Sequence, residues 1–276
     1  MLVLDYAEFK VDDDATWTPQ EEVLRLDNIV RRRFGLFEKG QQIKQPWVFS
    51  KKERKSVGRV TLRFVVQSDF TIPERCKLAL EAADETTIHI NDVLIPVPNS
   101  TSGEDWWVDR DIKTVAIPSY LIHKGSNTVT LSFNFGALTN VERVYLLGAF
   151  SVKLEGHTTT LQPLKAKPIT WGDIVPQGFP FYVGNLIYEV DITIPPSSKT
   201  TKSEVTLSVP KFSSPVLAVS DTKSGKKVGM IAFQPHTLNL ENLEEGTNTL
   251  EITAYGNRFN SFGHFHAPEG VSRANW

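Results

Sequence analysis

The sequence predicts an all-β protein: two antiparallel jelly-roll β-sandwiches in tandem, entered through a short N-terminal strand–helix segment. Three observations carry that prediction. "KGSNTVTLSFNFG" (Lys124 to Gly136) and "EGTNTLEITAYG" (Glu245 to Gly256) write one phrase twice, about 120 residues apart. Each has a Gly-x-Asn-Thr turn and then strict alternation, through Val129, Leu131 and Phe133 in one copy and Leu250, Ile252 and Ala254 in the other. Period-two alternation is the pattern of a strand with one buried face. The second observation is internal length: Pro73 precedes Gly125 by 52 positions and Pro195 precedes Gly246 by 51. The third is that short alternating runs recur every ~8 to 15 residues between Gly, Pro, Asn and Asp turns, with no intervening helix, as in a sandwich. A repeat of this length means duplicated domains, each able to bury its own core, and not a solenoid.

In chain order, Leu2 to Val11 reads as a strand and Asp12 to Asp14 as an acidic turn. "TPQEEVLRLDNIVRRRFG" then reads as a helix, with Thr18 as N-cap, Glu21 completing a capping box, Pro19 at the first helical position and Gly35 past the last turn. Val23, Leu26, Ile29 and Val30 form its apolar stripe. Arg31, Arg32 and Arg33 complement the helix macrodipole, either as solvated charges or as a patch for an acidic partner. A polar connector follows, with Trp47 as an anchor. Strands are expected at Val60 to Val66, Lys77 to Ala82, Thr86 to Ile90, Lys113 to Ile117, Thr128 to Phe135 and Leu146 to Leu154. In the second unit they are expected at Leu186 to Ile194, Glu204 to Val209, Val216 to Ser220, Lys227 to Ala232, Thr237 to Leu240 and Thr249 to Tyr255. The domain divisions are drawn at 1–55, 56–156 and 157–276.

Composition narrows the function classes. A net charge of −2 over 276 residues gives no electrostatic reason to expect nucleic acid or an anionic membrane surface. Cys76 is the only cysteine, so no internal disulfide forms, and no apolar run of 18 or more residues is present. The opening "MLVLDYAEFKV" starts in strand-like sequence, the expectation for a tail or fragment of a longer chain. No nucleophile motif, phosphate-binding glycine loop or dinucleotide fingerprint occurs, and no cofactor is expected.

Two aromatic stretches are the candidate ligand contacts. In "GEDWWVDRDIKTV", Trp106 and Trp107 follow a turn-rich loop, and Asp109 and Asp111 share one strand face with Arg110 on the other. Paired indoles suit stacking on the apolar face of a sugar, with Asp109 and Arg110 holding its hydroxyls; the structural alternative places at least one indole in the core. Asp109 and Asp111, roughly 7 Å apart at this spacing, also match the carboxyl separation of a glycosidase pair, a rival enzymatic reading in which neither is marked for a raised pKa. In "ITWGDIVPQGFPFYVGNLIYEV", Trp171, Phe181 and Tyr182 stand among glycines and prolines, either packing on the sandwich or facing a ligand or a neighbouring domain. His89, outward on its hairpin above the Asn91-Asp92 turn, is a bland surface histidine or a contact. His264 is a further candidate, and His264-x-His266 lacks a third ligand at metal spacing, so no metal is assigned.

The phrases "KLALEAADETTIHINDVLI" and "WWVDRDIKTVAIPSYLIHKGSNTVTLSF" resemble the galactose-binding-like, sugar-binding jelly roll of family 2 and rhamnosidase-like glycoside hydrolases. "WGDIVPQGFPFYVGNLIYEVDITIP" through "EEGTNTLEITAYGNRFNSFGHFH" looks like a second such module, and the opening segment is similar to the one by which those enzymes leave their catalytic barrel. The resemblance spans nearly the whole chain through fold-level phrases, none of them catalytic. It implies a non-catalytic, carbohydrate-binding or architectural region that packs on a glycoside hydrolase catalytic domain, the partner expected alongside carbohydrate. A self-contained carbohydrate-binding or adhesion protein is the alternative.

Overall fold

The computed structural model describes residues 1–39, 48–52, 55–97, 105–156, 158–164, 167–196, 205–241, 243–257 and 260. The chain folds as two compact units, Met1–Ala166 and Lys167–Trp276. The first contains β1 (Leu2–Leu4), β2 (Tyr6–Val11), β3 (Glu21–Glu22), α1 (Val23–Arg33), β4 (Ser56–Ser68), β5 (Cys76–Glu81), β6 (Thr86–Ile90), β7 (Val93–Ile95), β8 (Trp106–Trp107), β9 (Asp109–Ile117), β10 (Gly125–Gly136), β11 (Val144–Leu147), β12 (Ser151–Glu155) and β13 (Thr158–Gln162). The second contains β14 (Leu186–Ile194), β15 (Val205–Ser208), β16 (Leu217–Asp221), β17 (Lys227–Ile231), β18 (Thr237–Leu240) and β19 (Gly246–Ala254).

In the first unit, one sheet runs β1-β11-β5-β9-β8 and the other β12-β13-β4-β10-β6-β7, with β2 also beside β4. Alternation works as the sequence predicts. Val60, Leu62, Phe64 and Val66 of β4 and Val129 and Leu131 of β10 are buried, as are Leu78 and Leu80 of β5 and Val115 and Ile117 of β9. Each such side chain contributes roughly 1.5–3 kcal/mol by leaving water. The second unit stacks the sheet β14-β19-β16-β17 on the pair β15-β18. Leu217, Val219, Ile231, Leu240, Leu250 and Ile252 form its core, with Tyr188, Val190 and Phe212 packed against it.

The repeated phrase has a structural cause. Asn127 and Asn248 are both buried just past a left-handed glycine, Gly125 (φ +104°) and Gly246 (φ +91°). Asn127 accepts from the His123 N–H (2.9 Å) and donates to the carbonyls of His123 (2.7 Å) and Gly125 (3.2 Å). Asn248 makes the same three bonds, to the N–H (3.1 Å) and C=O (2.8 Å) of Glu244 and the C=O of Gly246 (3.2 Å). One buried amide side chain thus ties down the exposed turn that launches the central strand, and its own polar atoms are satisfied by that turn's backbone. The pairings also correspond: β4, β5, β6, β7, β9 and β10 associate with one another as β14 to β19 do, in the same chain order.

Four local readings differ from the structure. The N-terminal segment is integral to the first sandwich, since β1 pairs β11 and β2 pairs β4. The strand at 158–162 pairs β12 and, in parallel, β4, so the units divide after Ala166 and not at Gly156, and the sheet is not purely antiparallel. The run Leu146 to Leu154 is two strands in different sheets, because the chain crosses over at Gly148, where a Cβ would meet Cys76 Sγ at 2.9 Å. Helix α1 is capped by Glu22, whose carboxylate accepts from Leu24 and Arg25 N–H (3.2 and 3.1 Å), while Thr18 is bonded to Phe9 of β2. Pairing of Glu21 and Glu22 with β2 delays the helix start by a turn.

Candidate functional site

Helix α1 positions one wall of the first candidate site. Val23, Leu26 and Val30 are fully buried, and so is Asp27. Asp27 pairs with Arg31 one turn on and accepts the Val141 N–H at 2.9 Å. Arg31 donates onward to the carbonyls of Ala137 (3.3 Å) and Thr139, with its guanidinium 5.6 Å from the Phe135 ring centre. Arg31 is therefore a buried clamp on the loop after β10, unlike the solvated charge or binding patch read from the arginine run. Arg32 and Arg33 are exposed and pair with Glu38 and Asp14.

The clamped loop closes a cleft of about 710 Å³ at the open end of the first sandwich. The inner face of β9 explains the opening: Ile117 and Val115 are in the core, but the next two inward positions are Lys113 and Asp111, which line the cleft. Glu81, at the end of β5, and Glu142, on the clamped loop, stand at its rim. Partial loss of hydration raises the Glu81 pKa, and Glu142, Asp111 and Asp109 add to the rise against Lys39. Lys39 pairs with Glu142, and Arg143 is engaged by Asp5 at 3.3 Å.

The predicted Trp pair lies on the edge strand next to this cleft. Trp106 is 43% exposed and in register with Lys113. Trp107 is half-buried on the outer face of the sheet, its ring 4.8 Å from that of Tyr145, with Ala79 and Thr114 buried in the register between them. Neither indole enters the core, because the register slips between them and Val108 takes a positive φ of +66°. Arg110 is exposed, and the Asp109 carboxylate accepts the Asp111 N–H at 3.0 Å, a local turn bond.

In the second unit, Gln177 staples the aromatic loop. Its side chain accepts from Thr170 N–H (2.9 Å) and donates to the carbonyls of Thr170 (3.0 Å) and Asp173 (2.9 Å). This holds Trp171 with its ring 4.7 Å from that of Tyr188 and 43% of the residue exposed. The two rings, Tyr182, Phe212 and Tyr255 surround a recess of about 30 Å³, roughly the space of one water. The recess is a footing for an open indole platform. Tyr182 donates its hydroxyl to the Asn185 carbonyl at 3.0 Å, and Asn185 accepts the Gly256 N–H at 3.1 Å. Phe181 is 0% exposed, so this predicted contact is a core residue. His264 lies outside the described residues, as do Trp47 and His266.

Sequence reasoning did not single out Glu81, Glu142 or Gln177. The available signal was in β9, where charged residues at 111 and 113 continue an inward apolar alternation. Among the described residues no cluster of three His, Cys, Asp or Glu side chains has metal-site geometry.

No family model matches the chain, and no curated protein matches it. Among solved structures it is similar to a β-D-mannosidase from Dictyoglomus thermophilum, at 16% identity and a TM-score of 0.33, covering 93% of this chain and 31% of that one. It is also similar to an anti-sigma factor domain-containing protein from Clostridium clariflavum, at 13% identity and a TM-score of 0.24, covering 93% and 90%. The chain thus spans about a third of the mannosidase, and the function must be argued from its own residues.

Proposed function

We propose that the chain is a non-catalytic, carbohydrate-binding β-sandwich region of glycoside-hydrolase type. The observation that carries this reading is Trp171: a half-exposed indole, braced by Tyr188 and fixed by the Gln177 staple, at the mouth of a shallow recess. A rigid, partly exposed aromatic face offers apolar contact to one face of a sugar ring at little entropic cost, and neighbouring polar groups orient its hydroxyls. The family resemblance of the sequence supports the same class. Titrating the purified chain with mono- and oligosaccharides, by tryptophan fluorescence and calorimetry, tests it. Saturable binding is expected, lost in Trp171→Ala and kept in Trp107→Ala, whose ring is covered by Tyr145. Binding that survives Trp171→Ala, or no binding to any saccharide, overturns the reading.

A second, architectural reading is favoured by the outer face of the β14-β19-β16-β17 sheet. Ile187, Thr253, Ala218 and Met230 are in register across its four strands, with Ile187 60% and Met230 55% exposed. Such a row suits packing on a catalytic domain. Under this reading the chain binds no sugar alone, and Ile187→Lys with Met230→Lys abolishes association with that domain. The apolar stripe of α1 is unavailable for the purpose, being buried within the first unit.

A further inference from the structure

The two units differ on one flank, and the duplicated register shows what covers that flank in the first. Asn127 lies opposite Val66 of β4 and Asn248 opposite Ile192 of β14, so Leu186, Tyr188, Val190 and Ile192 are the counterparts of Val60, Leu62, Phe64 and Val66. The far edge of β4 is covered by β2, antiparallel from Glu8↔Arg63 to Val11↔Val60, and further on by β13. There the four inward side chains of β4 are no more than 2% exposed, and Ala7, Phe9 and Val11 of β2 are buried as well. Among the described residues β14 pairs only with β19, and its four inward side chains are all half-buried. The facing layer is narrower too: β5 is flanked by β11, whereas its counterpart β15 pairs only with β18 among the described residues. The other open edge of the larger sheet, β17, needs no such explanation, because its counterpart β7 is also an edge.

The outward face of β14 indicates the chemistry of a strand that would fit there. On β4 the outward Arg63 is ion-paired with Glu8 of β2, at 2.6 Å. Its counterpart is Glu189, which stands directly opposite Glu251 of β19, with Asp191 the next outward residue along the strand. Like charges directly opposite one another are destabilising, and among the described residues no cation pairs with any of the three; Asp191 accepts the Thr249 hydroxyl at 2.7 Å. A second copy of the chain would not suit this edge, since two β14 strands paired antiparallel about Val190 would set Glu189 against Asp191.

We propose that the free edge of β14 takes an extended strand from another polypeptide, antiparallel as β2 is on β4, with apolar side chains at its inward positions and Lys or Arg opposite Glu189 and Asp191. Main-chain hydrogen bonds along the edge supply most of the affinity, and the alternation fixes the register, because a one-residue slip would turn the cations inward. The inference does not rest on sugar binding at Trp171.

The test is fluorescence anisotropy of the full chain, at low ionic strength, with two labelled peptides built on the β2 sequence Tyr6–Val11. One carries Tyr6→Lys and Glu8→Lys; the other carries Tyr6→Glu and keeps Glu8. The basic peptide is expected to bind saturably and about 10-fold more tightly than the acidic one, the product of a few-fold at each of two exposed charge pairs. Glu189→Lys with Asp191→Lys, at two exposed positions, should invert that preference. Hydrogen exchange should locate the peptide, with amides of Leu186–Ile194 gaining protection and those of β7 and β17 unchanged. No saturable binding of the basic peptide, equal affinity for the two peptides, or an unchanged preference in the charge-reversed chain overturns the proposal. So does full protection of the β14 amides without peptide in a monomer, which would make a segment of this chain the occupant, or in a dimer, which would make it a second copy. None of these readouts involves sugar, so failure here leaves the Trp171 reading standing.

Discussion

Asp27→Ala is the perturbation whose cost the structure defines best. The carboxylate is completely buried, compensates a guanidinium that is itself only 4% exposed, and accepts the Val141 N–H. Removing it leaves a cation in the interior and a backbone donor without its acceptor. Breaking a buried pair from one side costs about 3–5 kcal/mol, most of it the penalty of the stranded charge. In a unit of 166 residues each kcal/mol moves the melting point by about 2–4 °C, which gives a fall of about 6–20 °C. Two compact units should give two calorimetric transitions, and only that of the first unit should move. Replacing both partners, Asp27→Leu with Arg31→Met, should recover only the part of the loss due to the stranded charge, since the Val141 N–H and the carbonyls of Ala137 and Thr139 still lose their partners. A drop below ~1 kcal/mol in the single variant, or full recovery of wild-type stability in the double, refutes the view of the pair as a buried clamp.

The twin asparagines offer a test of the duplicated turn. Asn127→Ala and Asn248→Ala should each cost about 0.5–1.5 kcal/mol through lost hydrogen bonds to the turn, the first moving only the first transition and the second only the second; urea melts with both transitions shifted would contradict this. Glu81 gives a pH signature. Its folded-state pKa lies above the ordinary 4.5, so its ionisation destabilises the fold, and the stability it contributes at low pH is lost as pH rises through the folded value. Glu81→Gln should therefore raise the first transition at neutral pH, and the gain should vanish below about pH 4.5; a pH-independent effect would show that the rim charge does not matter.

Much of the fold was legible in the sequence because the information is local. Alternation identified the strands at Thr86, Leu186 and Thr237 to the residue, since a strand with one buried face shows its period in any window of five residues. Asn91 and Asp92 supplied the predicted two-residue turn, both at positive φ. The helix cap was misplaced because Thr18-x-x-Glu21 is a valid local motif overridden by a non-local event, the pairing of Glu21 and Glu22 with β2. Trp171 was identifiable as an aromatic in a turn-rich loop, but nothing local distinguished it from Phe181 ten positions later, which is core.

What the sequence determined by itself, then, was the period of the longer strands and the turn chemistry that launches the central strand of each unit. Only tertiary structure decided the rest. Glu81 and Glu142 are 61 positions apart in the chain, yet they line one cleft because β5 pairs with β11 and a helix-borne Asp27–Arg31 pair holds the intervening loop. Burial, charge balance and exposure are properties of which strands become neighbours. That choice depends on the register of contacts far apart along the chain, which no window of the sequence contains.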